Sequence, residues 1–322
     1  MITRIAGLLS CAAFVLATPL SAQTITLEPV GVISLPADLV RASGDYAYVG
    51  AGGTLSVVDM RDPAMPKVRG SVALEEPIYG LAVSGSKGYV ANGLRGFAVL
   101  DLSNPDAPRS IVSHRTPGEA LRVALTGTRA LVVNRMSGLE VVDISDPAKP
   151  VSVGSYYTEG YARDVAAAGP LAFVVDSSTD FAVVDVSKPG APTGVSTQTL
   201  ASPTALVAVG LAGTSGQDAK TVYVLGGGVL QVYDVANPST PKRVTTFKVS
   251  GHTQAVAVEG ATAYVAAGSD GLQIIDLSNP AAPVVAGSYK TSGAARDVAV
   301  SGSLVLVAVA SPPGVIVLRK KL

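Results

Sequence analysis

Tryptophan is absent from this sequence, and cysteine occurs once, at Cys11. A lone cysteine excludes any disulfide within the chain and any cysteine-bound metal cluster. Histidine occurs twice, so imidazole-rich metal sites are excluded as well. Charged residues make up 15% of the chain, and the 24 basic and 24 acidic residues cancel. No excess of either sign marks a surface for nucleic acid or anionic lipid. Also missing is any sustained 3.6-residue apolar stripe, which predicts almost no helix. Beyond the first residues, no run is long and apolar enough to cross a bilayer as a helix.

The first residues have the pattern of an export leader. Met1–Arg4 gives a positive start, Ile5–Ala17 is apolar, and Thr18–Ala22 ends in small residues. The apolar run is shorter than the roughly 20 residues a membrane anchor needs. It predicts a secretory signal peptide over residues 1–22, cleaved after Ala22, and a periplasmic or secreted mature protein. The mature chain then has no cysteine, loses Arg4, and carries 23 basic against 24 acidic residues.

Six copies of one phrase punctuate the rest: LSVVDMRDPAMP, FAVLDLSNPDAP, LEVVDISDPAKP, FAVVDVSKPGAP, LQVYDVANPSTP and LQIIDLSNPAAP. Their aspartates are Asp59, Asp101, Asp143, Asp185, Asp234 and Asp276, spaced by 42 residues except for one interval of 49. A fixed period of this size means stacked supersecondary units. Each unit carries four short stretches rich in Val, Leu and Tyr, divided by Gly, Asn and Pro. YGLAVS, KGYVA, GFAVLDL and RSIVSH are one such set. These read as consecutive antiparallel strands, and four per unit describe a propeller blade. The long interval places its 7 extra residues between the first two strands of the fifth unit.

A seventh unit begins near Ala295, runs through LVLVAV and GVIVL, and lacks a fourth strand. EPVGVISLP, near the start of the chain, resembles the fourth strands PKVRGSVAL and PVVAGSYKT. The expectation is therefore an all-β, seven-bladed propeller of four-stranded antiparallel blades. Residues 23–322 form one domain whose last blade is closed by the N-terminal strand. Such closure removes open sheet edges and predicts a monomer.

In each phrase the aspartate precedes a turn locked by two prolines, as with Pro105 and Pro108. Proline fixes φ and lacks an amide donor, so these segments are turns, and a short acidic side chain accepts hydrogen bonds from the turn amides. The six repeated aspartates read as scaffold and not as a ring of ligands. The motif L-x-V-V-D followed by x-S-N-P-x-x-P, as in Leu139-Glu140-Val141-Val142-Asp143, is similar to the LVIVD-repeat proteins. The resemblance implies a β-propeller and an exported location. It implies no particular reaction. The seventh unit departs from the motif, because Val315–Leu318 leads into Arg319 with no Asp-Pro turn.

Functional side chains are expected on loops that differ from blade to blade. Entries to the first strands offer Tyr79, Arg122, Arg163, Asp164, Gln254, Arg296 and Asp297. The turns between second and third strands offer Asn92, Arg95, Asn134, Arg135, Asp176, Asp180 and Asp270. One reading is a polar funnel that binds a small anionic or polyol ligand, a peptide or a protein, with arginine forks on carboxylate or phosphate. The other is that the two Arg-Asp pairs tie neighbouring blades together. No cofactor is expected; the most credible one would be calcium, on oxygens of Asp164, Asp176, Asp180 or Asp297, although no calcium-loop motif is present.

Catalytic signals are few. His114 and His252 fall in different units, and no G-x-S-x-G elbow occurs. The absence of tryptophan removes the usual indole platform for sugar stacking. The sequence thus points first to a non-catalytic binding or scaffolding module. A propeller-type periplasmic hydrolase or lactonase is the alternative, with a carboxylate-bound metal at the channel mouth helped by Asn92 or Asn134. A third possibility is an accessory subunit docking through the outer strands, with Tyr156, Tyr157, Tyr161 and Tyr289 as anchors.

Overall fold

The computed structural model describes residues 24–177, 180–200, 206–212 and 220–321. The expected leader, residues 1–22, and most of the insertion in the fifth unit lie outside them. The described strands form seven four-stranded antiparallel sheets, with no helix among the described residues.

Blade one comprises Leu39–Ser43, Tyr46–Ala51, Thr54–Asp59 and Lys67–Ala73, from the channel outward. Blades two to six repeat this order in sequence, starting with inner strands Gly80–Ser84, Ala120–Thr126, Ala162–Ala168, Leu206–Ala212 and Ala255–Glu259. Blade seven takes Ala295–Ser301, Leu304–Ala310 and Pro313–Lys321 from the end of the chain. Its outer strand is Thr26–Ile33. Thr26 lies opposite Lys321, and Ile33 opposite Val315. The sequence expectation of seven blades closed by the N-terminal strand holds.

The residue pattern explains the layering. Second and third strands are runs such as ALVV and FAVL, buried on both faces between neighbouring blades. Outer strands alternate, as in TGVSTQT, and expose one face. Each blade boundary holds its own apolar cluster. Phe97 and Val99 of blade two meet Val132 and Val142 of blade three, for example, and Val49 and Val58 of blade one meet Leu306 and Val317 of blade seven. Burial of such side chains stabilises by about 1.5–3 kcal/mol each, so the blade boundaries are where the fold gains its stability.

The phrase aspartates build the turns on one face of the disc. Asp101 Oδ1 accepts the Ser103 amide at 3.2 Å, Asp143 that of Ser145 at 2.8 Å, and Asp185 that of Ser187 at 2.7 Å. Asp59, Asp234 and Asp276 do the same for Arg61, Ala236 and Ser278. Side-chain bonds from Arg61 hold the Asp59 carboxyl far below the usual carboxylate range. The Lys87 ammonium does so foremost for Asp101, and the turn amides lower the carboxyls of Asp143 and Asp185. The proline turn then docks against the preceding blade. A Cβ on Gly154, in the outer strand of blade three, would stand 2.1 Å from the Pro189 carbonyl oxygen of blade four. Gly31 of blade seven meets the Pro63 carbonyl of blade one in the same way. A side chain at either glycine would push two blades apart.

Candidate functional site

The opposite face carries the connectors that enter each inner strand and the turns between second and third strands. The inner strands surround a central channel whose mouth opens on this face. It encloses a cavity of about 490 Å³. Small apolar residues such as Ala42, Val123, Val165, Ala257 and Ala299 line its wall. Around the entrance stand Asp38, Arg41, Tyr79, Arg122, Asp164, Gln254, Arg296 and Asp297. In blades three, four and seven the inner strand shifts register by one residue just before Arg122, Asp164 and Asp297. A bulge of this kind re-aims the side chain that follows it.

These charges are engaged with one another across blade boundaries. Arg41 of blade one donates through Nη1 to Asp297 Oδ2 of blade seven at 2.7 Å, and through Nε to the Leu81 carbonyl of blade two at 3.1 Å. The same Asp297 oxygen accepts the Val40 amide at 2.9 Å. Arg296 pairs with Asp38, whose other carboxylate oxygen accepts the Gly52 amide at 3.1 Å. Arg122 of blade three lies 3.8 Å from Asp164 of blade four and donates back to the Tyr79 carbonyl of blade two. Among the described lining residues, three guanidinium groups meet three carboxylates, and the entrance is close to neutral. Of the two readings for the Arg-Asp pairs, the blade-to-blade tie describes Arg296 and Asp297. Arg163 instead is exposed and away from the cavity lining.

Other expected residues lie elsewhere. Asn92, Asn134 and Asp176 are buried beneath the loop face and do not line the cavity. Asn92 donates to the Glu76 and Pro77 carbonyls, and Asp176 accepts the Gly160 amide at 3.1 Å, so both pin the connector beside them. Asn134 donates to Glu140 at 3.0 Å. Arg135 and Arg95 stand half exposed on the turns, paired with Glu119 and Glu75. Tyr156 and Tyr289 end outer strands half-buried, whereas Tyr157 and Tyr161 stand exposed on the connector between blades three and four. The tyrosines expected at the rim are thus divided between two surfaces.

Asp164 and Asp297 line the cavity, Asp176 does not, and the Asp180 side chain is outside the described set. Among the described residues, no three His, Asp or Glu side chains gather as a metal site. His114 makes the nearest approach to acid–base chemistry. Its Nε2 lies 2.7 Å from Ser152 Oγ, and that hydroxyl also donates to the buried Glu140. The carboxylate therefore sits on the serine, whereas a nucleophilic relay needs it on the far imidazole nitrogen. Sequence reasoning passed over Glu140, Asp38 and Arg41. Arg41 had a readable signal, because the equivalent inner-strand position is Ala82, Ala124, Ala166, Ala257 and Ala299 in five other blades.

The family model described as LVIVD repeat matches residues 36–73, 79–116, 117–158, 159–198, 250–291 and 292–316, more than half of the chain. No curated protein matches the sequence. Among solved structures, the Cps50 (Swd1) β-propeller domain of Myceliophteria thermophila is similar with a TM-score of 0.74 at 12% identity. The match covers 91% of this chain and 99% of that one. A chain of a mitotic checkpoint complex gives 0.71 at 14% identity, covering 99% of each. BamB from Moraxella catarrhalis gives 0.62 at 14% identity, covering 91% of this chain and 98% of its own. Identities this low speak for the fold alone.

Proposed function

The chain belongs to the LVIVD-repeat family, and from that premise we propose that it is an exported, non-catalytic propeller that holds a partner on its loop face, around the channel mouth. The observation that carries this reading is the entrance itself. Arg41 with Asp297, and Arg296 with Asp38, spend their charges on joining blades. What remains is a rigid, nearly neutral floor bearing loops of unequal sequence, which is the form of a docking platform. The positive, apolar and small-residue succession over residues 1–22 supports export to the periplasm or beyond. One similar structure was solved within a mitotic checkpoint complex, which supports a protein as the partner. The cavity also has room for a small polar ligand.

Site-specific photo-crosslinking tests the reading. A crosslinker at Tyr79 or Gln254 on the loop face is expected to capture a partner in the native cell. One at Ser145, on the proline-turn face, or at Val285, on the rim, is not. Adducts confined to Ser145 or Val285 would overturn the proposal. N-terminal sequencing of the purified protein is expected to begin at Gln23.

A further inference from the structure

Glu140 is 3% exposed, in the third strand of blade three, Gly138–Asp143. The same place holds Ser56, Ala98, Ala182, Gln231 and Gln273 in the other blades that carry the phrase, so the carboxylate is particular to this blade. A buried carboxylate is costly unless donors or a cation meet it. Oε2 accepts Nδ2 of Asn134 at 3.0 Å, and Oε1 accepts the hydroxyl of Ser152. Both donors are neutral. In blade two the equivalent Asn92 donates to the Glu76 and Pro77 carbonyls of its connector. Asn134 instead turns its nitrogen to Glu140 and leaves its Oδ1 without a partner among the described residues. The one basic group within ion-pair distance of Glu140, among the described residues, is the His114 imidazole at 3.9 Å, which arrives from the outer strand of blade two.

His114 is a departure as well. Its place, opposite the first apolar residue of the phrase, is taken by Val72, Tyr156, Gln198, Phe247 and Tyr289 in the other blades. One boundary further on, Tyr156 reaches Gly194 of blade four as His114 reaches Ser152, and the place of Glu140 is Ala182. An imidazole and a carboxylate thus each enter this layer once, and they enter at the same boundary.

The hydrogen-bond chain has a fixed sense while Glu140 is ionised. The Ser152 hydroxyl has one proton and gives it to the carboxylate. His114 Nε2, 2.7 Å from Ser152 Oγ, therefore carries a hydrogen and donates it. An added proton goes to Nδ1. The imidazolium is then joined through Ser152 to the carboxylate, and the link between the blades becomes charge-assisted. Other ionisable groups on the strands packed here are engaged elsewhere. Asp101 takes Lys87 and Arg109, Asp143 takes its turn amide, and Arg129 donates to the Val186 carbonyl. The Tyr156 hydroxyl lies against Gly194, and burial keeps that of Tyr89 neutral. On the connector and turn above, Glu119 pairs with Arg135, and Arg115 is exposed.

We infer that His114, Ser152 and Glu140 form a proton-operated latch between blades two and three, which tightens when His114 takes up a proton. A proton held more firmly by the folded chain than by the unfolded one stabilises the fold below the ordinary histidine value of about 6.5, and that stability is lost as the pH rises. The depressed turn aspartates titrate below this window.

Urea unfolding of residues 23–322 at about pH 8 and about pH 5.5 tests the latch. Acidification is expected to raise the folding equilibrium constant about tenfold more in the native sequence than in His114→Gln or Glu140→Gln, the difference between a neutral and a charge-assisted bond. Both substitutions use residues that the repeat already has at these places, in Gln198 and Gln231. The double variant is expected to lose no more of the pH response than either single one, because the groups act as a unit. Ser152→Ala, on the exposed outer strand, breaks the same chain and is expected to lose most of the response even if Glu140→Gln does not fold. His252→Gln, at the exposed second histidine, is expected to keep it. A response that survives His114→Gln, or that disappears with His252→Gln, overturns the latch. A response that needs His114 but is indifferent to both Glu140→Gln and Ser152→Ala also overturns it, because the proton would then act through another partner.

Discussion

Asp297 of the last blade holds Arg41 of the first at 2.7 Å and, through the same oxygen, the Val40 amide at 2.9 Å. One carboxylate thus closes the ring at the channel mouth, on the inner edge, while Thr26–Ile33 closes it on the outer edge. Replacing Asp297 by alanine leaves the buried Val40 amide without its acceptor. The expected cost is about 1–3 kcal/mol. Urea unfolding checks it, and an unchanged midpoint would show that the carboxylate contributes nothing to closure.

Gly154→Val is expected to destabilise the chain, because the new Cβ would fall 2.1 Å from the Pro189 carbonyl oxygen. Such overpacking costs about 1–3 kcal/mol or more, depending on how far the blades yield. Gly127→Ala makes the comparison sharper. That glycine has open space around it but a φ of 55°. Its cost is conformational, about 1 kcal/mol. Thermal melts of the two variants are expected to rank Gly154→Val as the more damaging.

Removal of residues 23–34 deletes the closing strand and bares the edge of Pro313–Lys321. An unpaired apolar edge recruits other chains. The truncated protein is expected to elute as oligomers or to aggregate, and light scattering after size exclusion reads this directly. A monodisperse, fully folded truncation would show that closure is dispensable.

Acid is expected to weaken the fold through the turn aspartates. Lys87 foremost lowers the Asp101 carboxyl, and the Ser145 amide lowers that of Asp143. A carboxyl depressed in the folded state contributes stability above its unfolded pKa of about 3.9, and loses it as the pH falls through the lower folded value. Their share of the urea midpoint should therefore hold from neutral pH to about 4 and fall below that. Asp143→Asn keeps the acceptor oxygen but loses the titration, so it should flatten part of that fall.

Burial pushes the Tyr223 hydroxyl up to about 12 and raises those of Tyr233 and Tyr264. These phenols stay neutral in the folded chain, and the linked stability is lost as the pH rises past the ordinary tyrosine value of about 10. Absorbance titration is expected to show a late tyrosine fraction that ionises only together with loss of far-ultraviolet structure. Ionisation of every tyrosine near pH 10 with structure intact would contradict their burial.

Blade number and closure were legible because the aspartate phrase recurs in register and because EPVGVISLP looks like the strand the last blade lacks. The channel mouth was only half legible. Arg122, Asp164, Arg296 and Asp297 line it as their entry positions suggested. Asn92, Asn134 and Asp176 end second strands, where a polar side chain can either face solvent or turn under the connector, and strand-end position does not distinguish the two. They turn under. Arg41 was legible in principle, because Val40-Arg41-Ala42-Ser43-Gly44 puts an arginine where the inner strands of five other blades have alanine.

Thr26 and Lys321 lie across from each other at one end of an antiparallel pair, whose other end is Ile33 with Val315. A load applied between Thr26 and Lys321 therefore opens that pair like a zipper, one hydrogen bond at a time, and does not strain all of them together in shear. Tethered by both termini, the ring has a weak seam that yields at low force.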